Sequence, residues 1–137
     1  MEEKLAPRLE DYLETIYLLE KENKVARVKE IAKARNVKMP TVTEVLKRLS
    51  EKGFIKYEPY GYVITTEKGK SYAEELYRKH KVLIKFFESV LGLPPEKAEE
   101  EGCLIEHHLS EETVKRFEKL MKMLEEKNIK LSEEKND

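Results

Sequence analysis

A single cysteine, Cys103, stands in a chain of 137 residues, so no internal disulfide can form and a reducing cytoplasm is the expected compartment. No apolar run is long enough to span a bilayer, and no basic-then-apolar leader with a small-residue cleavage site opens the chain; no membrane partner is expected. The close Cys/His pairs of a zinc finger are missing. So are a Gly-rich phosphate loop, a nucleophile beside a base and the paired Glu-x-x-His of di-iron bundles, which argues against an enzyme. There is no internal repeat.

Charge, by contrast, is plentiful. Charged residues make up 40% and hydrophobic ones 39%, a balance that suits helical stripes better than one thick core. The length fits one compact domain or two small ones, and small lobes of this kind are often completed by a second subunit. The net charge of −1 hides an asymmetry. From Lys21 to Lys81 there are 16 Lys/Arg against 8 Asp/Glu, a surplus of +8, which leaves −9 for the flanks. A basic middle points to a polyanion partner and acidic flanks to a cation.

Met1 to Arg8 reads as a short mobile leader. Leu9, Tyr12, Leu13, Ile16 and Tyr17 then form a helical stripe, with Asp11 and Glu14 three apart on an adjoining face, and Lys21 to Lys24 turn the chain. A short second helix spans Val28 to Asn36, where Asn36 suits a left-handed stop. A third enters through Pro40, buries Val42, Val45, Leu46 and Leu49, and stops at Gly53. Two short helices joined this way are the pattern of a helix-turn-helix. Two β-prone runs, Phe54 to Tyr57 and Tyr62 to Thr65, flank a Pro/Gly turn and predict a hairpin, hence a winged helix-turn-helix.

Thr66 is placed to cap a long helix whose apolar positions run from Tyr72 through His80 to Leu91, spanning roughly 35–40 Å. Pro94 and Pro95 separate it from a helix over Glu96 to Leu109. Ser110 then caps a last helix striped by Val114, Phe117, Leu120, Met121 and Leu124, and the tail beyond Lys127 reads as frayed. The expected architecture is mainly α: a winged helix-turn-helix domain over 1–72, a long linker helix, and a second, helical domain over 73–137.

Glu101 to Leu109 contains the cysteine and two of the three histidines. On a helix, Cys103, Glu106 and His107 project from neighbouring turns of one face, with Cβ atoms about 5–6 Å apart, while His108 turns away. Such a set is at most half a coordination sphere. Each candidate has a plainer explanation: a lone His80 in an apolar stripe is usually a hydrogen-bonded core residue, Cys103 a small hydrophobe, and Asp11 with Glu14 a wet surface. What favours a metal is convergence, because three separate helices offer six donors of mixed O, N and S type.

The segments Leu9-Glu10-Asp11-Tyr12-Leu13-Glu14-Thr15-Ile16-Tyr17, Pro40-Thr41-Val42-Thr43, Arg78-Lys79-His80 and Cys103-Leu104-Ile105-Glu106-His107-His108-Leu109-Ser110 resemble those of the diphtheria toxin repressor and manganese-transport regulator family of metal-activated repressors. The resemblance runs from about Leu9 to Leu124. It implies a metal ligand set of Asp11, Glu14, His80, Cys103, Glu106 and His107. Asp11 and Glu14 look like the manganese class, and Cys103 like the iron class. Ile84 stands where the iron class has an ancillary glutamate, and Glu99 where it has a histidine. The resemblance implies Fe²⁺ or Mn²⁺ as co-repressor, with Co²⁺, Ni²⁺, Zn²⁺ or Cd²⁺ able to substitute in vitro, and a homodimer on a palindromic operator.

For DNA contact, Lys38, Pro40, Thr41, Thr43 and Lys47 lie on or beside the recognition helix, with Arg27, Lys56 and Tyr60 as backbone candidates. The rival readings are a winged-helix regulator that senses a small molecule and, further off, a helical metalloenzyme.

Overall fold

The computed structural model describes residues 4–58 and 61–129. The first helix, α1, runs Pro7–Asn23, with proline in its opening turn and Lys24 left-handed (φ 72) at its end. Its expected stripe is buried: Leu9, Tyr12, Leu13, Ile16 and Tyr17 all face inward. The expected mobile leader is corrected in part. Leu5 is buried, and its N–H donates to the Tyr72 hydroxyl at 2.9 Å. The same hydroxyl donates to Glu10 at 2.5 Å, so a buried carboxylate and a phenol anchor the approach to α1.

Helix α2 (Val28–Arg35) ends at Asn36, whose φ of 56 is the left-handed stop its side-chain type favours. Helix α3 (Met39–Glu51) has Pro40 in its first turn. Val42, Val45, Leu46 and Leu49 are fully buried at its inner face, each contributing about 1.5–3 kcal/mol. Helices α1, α2 and α3 pack on one another around this stripe.

Gly53 (φ 84) carries the chain out of α3 through a backbone region closed to most side chains. The wing is an antiparallel pair, β1 (Ile55–Tyr57) and β2 (Val63–Thr65), in the register Ile55↔Thr65, Lys56↔Ile64, Tyr57↔Val63. Its strands are shorter than the sequence predicts, because Phe54 leaves the hairpin for the core, where its ring meets Tyr72 edge-on at 5.4 Å. Two features were not legible beforehand. Ala26 adds a bridge to Val63 on the far side of β2. Glu20 of α1 accepts from both the N–H and the hydroxyl of Thr65, at 2.9 and 2.8 Å.

Helix α4 spans Glu67–Lys85. Thr66 caps it as expected: its hydroxyl accepts from the Gly69 N–H at 3.1 Å and donates to the Gly53 carbonyl at 2.7 Å. Gly69 is there because the helix runs against the backbone of Phe54; a Cβ at this point would sit 1.8 Å from the Phe54 oxygen. Two compact units, Met1–Leu76 and Tyr77–Asp137, divide the chain, and the boundary falls inside α4.

The second unit starts in the latter part of α4. The helix expected to continue to Leu91 instead changes pitch, and Phe86–Val90 form a π-helical turn closed by the Leu91 N–H on the Phe86 carbonyl at 3.2 Å. Wider winding keeps Phe86, Phe87 and Val90 together on the core formed with Val114, Phe117 and Met121. Leu91, expected in the stripe, is 43% exposed, whereas Val82 is buried. Helix α5 spans Pro95–Glu106 and α6 Glu111–Glu126. The Ser110 hydroxyl caps α6 by accepting from the Thr113 N–H at 3.2 Å. Arg78 of α4 is paired with both Glu111 and Glu118 of α6. The expected fraying beyond Lys127 falls mostly outside the described residues. No helix among the described residues is long and apolar enough to cross a membrane.

A candidate metal centre and DNA-reading surface

His80 is buried in α4, where a lone imidazole would ordinarily satisfy the core. Here it does more. Its Nδ1 lies 2.6 Å from Glu106 Oε1, its Nε2 3.2 Å from Glu99 Oε1, and the Cys103 sulfur stands 3.6 and 3.7 Å from the two ring nitrogens. Helix α5 provides the partners at one-turn spacing: Glu99, then Cys103 four on, then Glu106 three on. Helix α5 comes close to α4 at Gly102, where a Cβ would approach Ile84 Cγ1 to 3.0 Å.

The donor atoms of His80, Cys103 and Glu106 all lie within 4.8 Å of one another. Glu106 is 1% exposed, and its second oxygen, Oε2, has no hydrogen-bond donor among the described residues. A buried carboxylate oxygen left without a partner is costly. The electrostatics of His80 follow from its neighbours. Burial alone would lower its pKa; hydrogen bonds from the thiol and carboxylate side, with the charges of Glu106 and Cys103, outweigh that and push it up to about 11. The raised pKa favours positive charge on the ring at the point where a buried carboxylate and a thiol converge. Mixed N, O and S donors around a cation-shaped need fit a divalent metal.

The other predicted ligands are placed as follows. His107 is buried, but at the C-cap position just past the end of α5 rather than within it, and it is not part of the triad. His108 is exposed, as its turn on the helix implies. In the first unit, Glu14 is 8% exposed, which overturns a wet-surface explanation for it. Asp11 is half-buried and paired with Arg35 at 3.5 Å. Glu99 is the contact to His80 that spacing alone did not single out; its signal was its place one turn before Cys103.

On the first unit, Arg27, Lys38, Pro40, Lys47 and Lys56 are exposed, and Thr41 and Thr43 half-buried at the start of α3. The Thr43 hydroxyl donates to the Met39 carbonyl at 3.0 Å, which leaves its oxygen lone pairs for another partner. Tyr60 lies outside the described residues.

Residues 4–63 match the family model described as iron dependent repressor, N-terminal DNA binding domain, and residues 66–130 the model described as iron dependent repressor, metal binding and dimerisation domain. The chain belongs to the iron-dependent repressor family. This repressor is 40% identical over 124 residues to an uncharacterized helix-turn-helix-type transcriptional regulator of Methanocaldococcus jannaschii, covering 90% of this chain and 99% of that one. Its fold is similar to that of the manganese regulator SloR (30% identity, TM-score 0.75, 86% of this chain and 55% of that one). It is also similar to ScaR with bound Cd²⁺ (33% identity, TM-score 0.69, 83% and 53%). The chain thus spans about half the length of those two solved relatives. It is a metal-responsive transcriptional repressor and not an enzyme.

Proposed function

We propose that this repressor governs metal homeostasis with Fe²⁺ or Mn²⁺ as its co-repressor, binding a palindromic operator as a homodimer in the cytoplasm. One observation carries the reading: three donors of different type converge on a buried point, and one of them, Glu106, holds an oxygen there with no donor. The proposed ligand set adds Asp11, Glu14 and His107 to the triad, on the pattern of the family. The DNA-reading part is taken as 1–72 and the metal-binding and dimerisation part as 73–137.

When bound, a divalent cation supplies the charge that lets clustered carboxylates lie close without repulsion. The chain's own residues do the rest. Glu106 presents one oxygen to His80 and the other inward, Cys103 offers its sulfur beside the ring, and His80 gives up its proton. Asp11 and Glu14 stand on α1, which also contributes Leu13 and Ile16 to the helix-turn-helix core, so whatever fixes these two acids also fixes that core. In this reading Thr41 and Thr43 serve base edges and Lys38, Lys47, Arg27 and Lys56 serve phosphates, with Tyr60 assigned the same role from the sequence alone. Carboxylates favour Mn²⁺ and the thiolate favours Fe²⁺, Co²⁺ or Zn²⁺, with Ni²⁺ and Cd²⁺ as further substitutes in vitro.

Operator binding titrated with and without each metal under anaerobic conditions tests the proposal. The expected result is a 5–150-fold gain in affinity with Fe²⁺ or Mn²⁺, the ordinary range of such coupling. Equal affinity with and without metal would favour a small-molecule sensor instead.

A further inference from the structure

Arg35, the last residue of α2, plays no part in the ligand set, yet it lies against it. Its Nη2 is 3.5 Å from Asp11 Oδ2, and both side chains are about one-third exposed. The guanidinium also lies over the ring of Tyr12, 5.5 Å from its centroid, while Arg8 approaches the same ring at 5.7 Å. Tyr12 is itself buried, so the ring is a fixed platform that aims the cation at Asp11. Arg35 Nε is buried without a hydrogen-bond partner among the described residues. A guanidinium with one donor unmet is not placed there to saturate its own hydrogen bonds. The end of α2 does not need it either: Asn36 closes the helix through its backbone, and Lys33 already sets a positive charge in the last turn.

We infer that Arg35 is a resident rival of the metal, a fixed positive charge that competes for Asp11 and so raises the metal concentration at which the repressor engages. The inference rests on the reading that Asp11 is a ligand. Without metal, Arg35 neutralises Asp11 and steadies α1 against α2. With metal, the guanidinium remains as a like charge near the cation, weakening its capture. A double and a single positive charge at short range in a well-solvated setting oppose each other enough to shift affinity about tenfold. That figure shrinks as salt screens the pair.

The test is metal affinity of the full chain by chelator competition with Mn²⁺, for wild type, Arg35→Gln, Arg35→Lys and Asp11→Asn, each first melted without metal to establish folding. Arg35→Gln should bind Mn²⁺ about tenfold more tightly at low salt, with the gain fading as salt rises. Arg35→Lys, which keeps the charge, should stay near wild type. If Arg35→Gln binds no more tightly than wild type while Asp11→Asn weakens binding tenfold or more, the rivalry is refuted and the ligand assignment stands. If Asp11→Asn changes nothing, the assignment of Asp11 falls and the rivalry with it.

Discussion

Glu106 directs one carboxylate oxygen at His80, 2.6 Å from Nδ1, and buries the other with no donor facing it among the described residues. Loss of that charge without loss of shape isolates its role. Glu106→Gln should cost more metal affinity than the 10–100-fold typical of residues that merely support a ligand. It should leave the metal-free fold intact, since an amide can still hydrogen-bond to the imidazole. Chelator competition and a metal-free melt measure the two parts; a change under threefold in affinity would remove Glu106 from the ligands.

The raised pKa of His80 makes metal uptake a proton-releasing event. The free imidazole titrates near 6.5 and the folded one at about 11, so in the metal-free chain its stabilising contribution is complete below about pH 6.5 and is lost as pH rises through 11. A metal needs the neutral ring, so apparent metal affinity should climb with pH across 6.5 to 8.5, by up to about tenfold per unit for one proton released. His80→Ala should bind weakly and lose that His-linked part of the slope. Titrations at three pH values, with the released protons counted by an indicator dye, decide it.

Lys47 is exposed on α3, the expected recognition helix. Lys47→Ala should weaken operator and non-operator DNA alike and lower the slope of log affinity against log salt by about one. Fluorescence anisotropy over a salt series reads both; an unchanged slope would strike Lys47 from the contacts.

Gly69 has no room for a methyl group, since a Cβ would fall 1.8 Å from the Phe54 carbonyl oxygen. Gly69→Ala should destabilise the first unit by about 3 kcal/mol or more, at or above the usual cost of overpacking, because rigid backbone rather than a movable side chain stands in the way. Thermal unfolding followed by circular dichroism gives the number.

Much of the fold was legible because its signals are local. The inner faces of α1 and α3, the Asn36 and Gly53 stops, and the Thr66 and Ser110 caps each rest on spacing or on one side chain's chemistry, and all are found in place. The misses are non-local. Leu5 is ordered by Tyr72, 67 residues away, and nothing in the run Met1 to Arg8 announces that partner. The π turn at Phe86–Val90 answers to three apolar side chains competing for one core, a pressure that periodicity averages away. At the site, spacing on α5 singled out Cys103 and Glu106, whose donor atoms the fold brings beside that of His80. The helix was expected to run on to Leu109, but it ends at Glu106, because an αR backbone at the His107 C-cap looks helical in sequence while no longer belonging to the ladder. Glu99 entered only through the family resemblance, and Arg35 went unweighed, because a charged residue on a helix surface is ordinarily just solvated.

Glu20 grips Thr65 through two hydrogen bonds, a main-chain one and a hydroxyl one, from the same helix that bears Asp11 and Glu14. The hairpin is thereby yoked to that helix at a point two and a half turns beyond Asp11. Any tilt of α1 must drag the Thr65 end of β2 along or break both bonds, so the base of the hairpin travels as cargo of the acid-bearing helix.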